Sequence, residues 1–285
     1  MSMIQTLGEV VRTRMHECTE AGADQFRNSV RPIFSSQNGL RPELIGSCLL
    51  LEVEGARFAV TAAHIIDWTS SHALFVAGMV GTQPVQIIGN LSSTQPPKGG
   101  RVRDRFDFAF WQIPTSAEKD LGSVEFMGQR RISHNRISSR GRLYMAMGFP
   151  LSKNRGKVDN VRRAIRIVLW KYSADVIELP ALATELGVTG NEHFFLKFQK
   201  YARDLEGTKV NTINPRGISG GALVDLGSLA SISEYGHGRQ CKGMLAGMVI
   251  EKHEKHRALV AVKIGTICEA IRRQRAAAPP NSSQT

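Results

Sequence analysis

The chain lacks any apolar run long enough to cross a bilayer. A spanning helix needs roughly 20 consecutive apolar residues. Every apolar stretch in the 285 residues is broken earlier by a charge or a polar cluster. It also lacks the pattern of a secretory leader. Gln5, Thr6, Glu9, Arg12 and Arg14 interrupt the start, where a leader carries an unbroken apolar segment, so the sequence predicts a cytoplasmic protein with no membrane partner. Cysteine is scarce, and Cys18, Cys48, Cys241 and Cys268 form no CxxC pair. Zinc ligands usually come in such close pairs, so no metal site is expected, and four free thiols fit a reducing compartment. His253 and His256 stand three apart, with Lys255 between them and Lys252 beside them, which reads as a solvated turn. Acidic residues are few: 25 against 37 Lys and Arg, a formal charge of +12. That imbalance raises an anionic partner, nucleic acid included. No internal repeat is present.

What remains is the composition of a folded protein, 42% hydrophobic and 22% charged. Ile4, Leu7, Val11, Met15 and Cys18 recur at three- and four-residue steps, which predicts a helix ended by Ala21-Gly22-Ala23. This helix either docks on the main domain or offers a surface to a regulatory protein partner. From about Leu40 the texture changes to short apolar runs bounded by Gly, Pro, Asn or Ser. They include 48–53, 57–63, 73–80, 85–91, 106–113, 142–148, 164–170, 194–198, 222–226, 244–250 and 258–264. Many short punctuated strands predict an all-β fold. A short helix is expected over 180–186, a closing helix over 267–275 and a disordered tail over 276–285.

Three segments carry candidate chemistry. Phe58 to His64 is an apolar strand ending in a histidine. Asp107 opens the aromatic strand Phe108-Ala109-Phe110-Trp111. Ser219 sits in the glycine-rich Gly217-Ile218-Ser219-Gly220-Gly221, ahead of strand-like residues. A serine hydroxyl needs a base within hydrogen-bond reach to act as a nucleophile. Histidine suits by its near-neutral pKa, a carboxylate fixes the imidazole tautomer, and backbone N–H groups meet the developing oxyanion. Alone, His64 reads as a core histidine, Asp107 as a strand start with Asp104 as rival, and Ser219 as a glycine turn. Their joint presence reads as a site.

Thr61-Ala62-Ala63-His64, Asp107-Phe108-Ala109 and Gly217 to Gly221, in that order, resemble the trypsin/chymotrypsin-like serine protease family. The resemblance runs from about Leu40 to Arg272. It implies two antiparallel six-stranded β-barrels with short terminal helices: barrel one about 40–128, barrel two about 138–266, the C-terminal helix 267–275, and a helical extension 1–39 in front. It implies Ser219 as nucleophile, His64 as base, Asp107 as its orienting carboxylate, and the N–H groups of Gly217 and Ser219 as oxyanion hole. Protein or peptide would be the substrate, cut through an acyl-enzyme without metal or cofactor. Gly217 to Gly221 also fits the G-x-S-x-G of α/β-hydrolases. Polar residues precede it and strand-like ones follow, which is the wrong context for that fold.

The sequence departs from secreted members of that family. Ile218 stands where they carry an aspartate that pairs with a new N-terminus, so activation by N-terminal insertion is not expected. By resemblance Ile213 lies near the base of the primary pocket, and Ile250, Glu251 and Lys252 along one wall. No carboxylate stands at that base, which predicts an uncharged, apolar residue before the cut. Two other readings stay open. One is a protease-fold binding module without turnover. The other is a nucleic-acid-binding protein, suggested by Arg130, Arg131, Arg136, Arg140, Arg142, Arg155, Arg162, Arg163 and Arg166. No aromatic residues are interleaved there to stack bases.

Overall fold

Glu54 and Gly55 both take positive φ, 51° and 75°. This is the two-residue turn whose twist matches a hairpin. It joins β2 (Glu43–Val53) to β3 (Ala56–Ala62), with Val53 opposite Ala56, and this hairpin delivers His64. Residues 6–37, 42–78, 84–96, 100–101, 104–133, 141–154, 158–159, 164–165, 167–203, 207–228 and 241–277 are described by the computed structural model. Six of the arginines noted above (136, 140, 155, 162, 163 and 166) lie outside them, as do residues 278–285 of the expected tail.

The first sheet comprises β1 (Val30–Ser36), β2, β3, β4 (Ala73–Val76), β5 (Val85–Gln86), β6 (Leu91–Ser93) and β7 (Phe108–Gln112). Its order is β5-β4-β1-β2-β3-β7-β6, antiparallel throughout. The remaining strands are β8 (Arg142–Gly148), β9 (Val158–Asp159), β10 (Ala164–Ile165), β11 (Trp170–Asp175), β12 (His193–Lys197), β13 (Tyr201–Arg203), β14 (Lys209–Asn211), β15 (Ala222–Ser228), β16 (Met244–His253) and β17 (Ala258–Lys263). Six of these form the second sheet, β11-β8-β15-β16-β17-β12, and β9–β10 and β13–β14 are separate pairs. The first sheet thus has seven strands rather than six.

Period-two alternation sorts each strand between two cores. Ile33, Cys48, Leu50, Leu74 and Trp111 fill the interior of the first sheet. Tyr144, Ala146, Ile218, Leu223 and Val249 fill that of the second. Their neighbours on the other face, Leu49, Leu51, Met145, Met147 and Val224, share one cluster that joins the two sheets. The fold is mostly β, as the strand pattern predicts, and its two curled sheets pack against each other, as the resemblance implies.

Three boundaries differ from expectation. The first sheet begins at Val30, not near 40, because β1 pairs with both β2 and β4. Arg31 and Pro32 disguise this strand. Buried Arg31 satisfies its guanidinium on the carbonyl of Ala77 at 2.9 Å, and the ladder shifts register just after Pro32, between Ile33 and Phe34. Helix α1 (Leu7–Phe26) runs through Gly22 instead of ending there. A side chain at Gly22 would strike Leu226 and crowd Met145, so this glycine marks close approach to the second sheet. Cys18, Gly22, Ala23 and Phe26 face inward, which commits that face of α1 to the domain itself. The single strand expected over 164–170 is split: Ala164–Ile165 pairs with β9, residues 167–169 are in no strand, and β11 starts at Trp170.

Four shorter helices follow: α2 (Ala63–Ile66), α3 (Thr115–Asp120), α4 (Leu151–Asn154) and α5 (Pro180–Leu186). The closing helix α6 spans Ile264–Ala277, slightly longer than expected.

The expectation of four free thiols is overturned. Cys18 and Cys241 form a disulfide across 223 residues, with Cα atoms 5.0 Å apart. The thiol argument for a reducing compartment falls with it. Cys48 and Cys268 are free and buried. Burial pushes the Cys48 thiol up to about 12 and that of Cys268 up to about 11, so both are inert as nucleophiles. No helix among the described residues is long and apolar enough to cross a membrane.

Candidate active site

His64 lies in the first turn of α2, directly after β3. The turn has no side-chain cap of its own, and Asp107 supplies one. The Asp107 carbonyl accepts from the Ala63 N–H at 2.9 Å, and Oδ1 accepts from the His64 N–H at 2.9 Å. Oδ2 then meets His64 Nδ1 at 2.6 Å. These bonds hold Asp107 at φ +39°, a left-handed conformation that non-glycine residues seldom take. The carboxylate side chain is 11% exposed and the imidazole 42%, so the ring is fixed from behind and open in front.

The rival Asp104 is spent elsewhere. Arg101 Nη1 binds it at 2.8 Å and donates at 2.6 Å to the Thr94 carbonyl. Arg101 also clamps Asp67 through two bonds of 2.8 and 2.9 Å, and holds its carboxyl below the usual range. Asp107 is therefore the carboxylate that reaches His64.

Ser219 comes from the second sheet but hangs on the first. Its carbonyl accepts from the Ser47 N–H of β2 at 2.9 Å. Ser47 Oγ donates to the Gly217 carbonyl at 3.0 Å and accepts from the Phe149 N–H at 2.9 Å, while its own carbonyl accepts from Thr61 Oγ1 at 2.7 Å. One buried serine thus ties the Ser219 turn to the strand that leads into His64. Gly220, at φ +83°, lies against Ser47 and Thr61 with no room for a side chain. Ile218 is 3% exposed among apolar neighbours, so burial, not an ion pair, anchors this position.

Three amides of the turn are bonded to described residues and two are not. Ile218 N–H donates to Pro215 O at 2.9 Å, Gly220 N–H to Val249 O at 2.8 Å and Gly221 N–H to Ile218 O at 2.8 Å. The N–H groups of Gly217 and Ser219 donate to no described residue. The Arg216 carbonyl accepts from Leu151 N–H at 2.8 Å. The Gly217 N–H of that same trans peptide therefore points the opposite way. No hydrogen bond joins Ser219 Oγ to His64 Nε2 in this structure.

Of the expected pocket residues, Ile213 and Lys252 line one cleft of about 990 Å³. Ile250 does not: it is 1% exposed and belongs to the shared core, because the β16 ladder shifts register between Val249 and Glu251. Glu251 is not among the cleft's lining and faces His253 at 2.9 Å. The His253 and His256 side chains are 18% and 14% exposed, each beside a glutamate, so their turn is less solvated than the flanking lysines suggest. No three His, Cys, Asp or Glu residues among those described are grouped to hold a metal.

Two contributors were not legible in the sequence. Ser47 is one, a hydroxyl inside an apolar strand whose only signal is the small pair Gly46-Ser47. His193 is the other. Its Nε2 donates to the Arg105 carbonyl at 2.7 Å and its ring stacks on Phe106 at 5.5 Å, so β12 pins the residues just ahead of Asp107. Burial, opposed by the Arg105 carbonyl, holds this imidazole below its ordinary pKa, and Nδ1 is buried without a partner. The unfolded chain takes up this proton near 6.5, the folded chain only at lower pH. Below that value the unfolded state binds more protons, so stability falls with pH. The urea midpoint is expected to drop between about pH 7 and pH 5, and His193→Gln to flatten that part of the profile.

Neither a protein-family model nor a curated protein matches the chain. Among solved structures it is similar to an HtrA-type protease, AlgW, with a decapeptide: 13% identity over 91% of this chain and 67% of that one, TM-score 0.50. A Glu endopeptidase in complex with MPD aligns at 14% identity over 87% of this chain and 91% of that one, TM-score 0.47. The chain has the chymotrypsin-like fold of the trypsin-type serine proteases. At this identity the likeness speaks to fold, and the chemistry rests on the residues above.

Proposed function

We propose that the protein is a serine peptidase acting through Ser219, His64 and Asp107. The observation that carries this reading is the pairing of Asp107 with His64 Nδ1 at 2.6 Å, beside a serine turn whose Gly217 and Ser219 amides lack acceptors among the described residues. With Nδ1–H donated to Asp107, Nε2 carries the lone pair and faces outward. Ser219 Oγ attacks the substrate carbonyl carbon as its proton passes to Nε2. The carbonyl oxygen becomes an oxyanion between the two free N–H groups. Collapse expels the amine, which takes the proton from Nε2 and leaves an acyl-enzyme. Water then repeats the sequence, releasing acid and restoring Ser219. The Ser219–His64 bond closes when substrate fills the cleft, as such contacts commonly tighten on binding.

The open Ser219–His64 contact favours one alternative, a module that binds peptide without cutting it. A fluorophosphonate probe separates the two. The wild type should label at Ser219 and Ser219→Ala should not. An unlabelled wild type would favour the binding module.

A further inference from the structure

We infer that the cleft beside Ser219 receives an acidic polypeptide segment, an assignment that rests on the peptidase reading and names its substrate class. Two walls of the cleft start at the serine turn. Ile213 and Asn214 lead through Pro215 and Arg216 into Gly217. Lys252 is carried by β16, whose Val249 bonds Gly220 and Gly221 at 2.8 and 2.9 Å. Neither Ser219 nor His64 lines the cleft, but both segments bring it within reach of a chain whose carbonyl sits at Ser219.

The lining is cationic. Among the described residues that line it, Lys200, Lys209, Lys252 and Arg257 face one carboxylate, Glu254, which is 81% exposed and already paired with Lys252. Such an exposed pair is weak and readily exchanged for an incoming carboxylate. Cations of one sign in a concave site with low-dielectric walls focus their field on an anion. At about 990 Å³ the cleft holds several residues rather than one side chain. Its lining continues past Tyr201 and Ala202 into a groove against α1, where Arg12 and Lys197 stand. An apolar floor at Ile213 therefore does not make the site apolar: three of the four cations, Lys200, Lys209 and Arg257, are not among the residues the sequence placed there.

A nucleic acid would also meet these charges, but single strands need an open aromatic face to stack on. The Tyr201 ring is occupied by the ammonium groups of Lys209 at 4.0 Å and Lys200 at 5.5 Å, and Phe198 is 4% exposed.

The test uses the full chain with a nonapeptide library for cleavage, and a fluorescein-labelled peptide carrying three glutamates, with its glutamine isostere, for binding to Ser219→Ala. Expected are enrichment of Asp and Glu among the residues before the cut, and a kcat/KM ratio of Glu to Gln peptides of roughly tenfold or more that falls with added salt. Lys252→Glu should collapse that ratio. Should it fail to fold, Lys200→Glu with Lys209→Glu, both exposed, serves instead. Turnover without acidic enrichment overturns the cleft assignment and leaves the peptidase. Tighter, salt-sensitive binding of the Glu peptide with no turnover by wild type upholds the cleft and overturns the peptidase. An oligonucleotide that binds Ser219→Ala more tightly than the Glu peptide, or equal binding of both peptides, overturns the inference.

Discussion

Asp107→Asn is expected to lower kcat by about 10⁴-fold while leaving the fold intact. The asparagine carbonyl can still accept from the His64 N–H, now made at 2.9 Å. Its amide then faces Nδ1 as a donor, so the imidazole must turn its lone pair there and carry its proton on Nε2. A protonated Nε2 cannot receive the serine proton. The loss should appear in kcat more than in KM, because Asp107 lies behind the ring and touches no substrate. Adding Ser219→Ala should cost little beyond Ser219→Ala alone, since the members act as one unit. Single-turnover kinetics with a p-nitrophenyl ester reads these differences. Near-wild-type kcat in Asp107→Asn would remove Asp107 from the site.

Gly220→Ala is expected to destabilise by more than about 4 kcal/mol, lowering the melting temperature by roughly 10 °C or more. At φ +83° a side chain is strained, and its first carbon would overlap the Ser47 carbonyl and Thr61 Oγ1. Relief means lifting the Ser219 turn off β2, which breaks the Ser47–Ser219 hydrogen bond and misplaces Ser219. Activity should therefore vanish even where the variant stays folded in the cold. Thermal unfolding by circular dichroism, with fluorophosphonate labelling at low temperature, reads both. A variant with the wild-type midpoint would show that the turn is not seated as described.

The parts legible in the sequence are those whose signal is local. An apolar strand ending in His64, an acid opening an aromatic strand, and a serine among glycines each occupy a handful of consecutive residues. The family resemblance they carry implies two curled sheets and the Asp107–His64 pair. The parts that were not legible depend on residues distant in the chain. Strand β1 was hidden because Arg31 and Pro32 look unlike a sheet until Ala77 supplies the guanidinium's acceptor. Gly22 looked like a helix end because Leu226 and Met145, which require it to be small, are more than 120 residues away. Ser47 gave almost no signal, since its value lies in partners at 149, 217 and 219. Ile250 was misplaced because one register shift in β16 turns a wall residue into a core residue. Of the cleft's cations only Lys252 was legible, because Lys200, Lys209 and Arg257 come from three separate places in the chain.

The Cys18–Cys241 bond has a mechanical consequence. It closes residues 18–241 into a covalent ring that contains the whole first sheet, strand β15, and His64, Asp107 and Ser219. Tension applied between the two termini runs along the first turns of α1, across the sulfurs, and out through β16, β17 and α6. The backbone inside the ring lies off that covalent path, and β15 meets the load only through its ladder to β16. An unfolding machine that pulls on the ends can strip the last two strands of the second sheet. It cannot draw His64, Asp107 and Ser219 apart until a reductant has opened the bond.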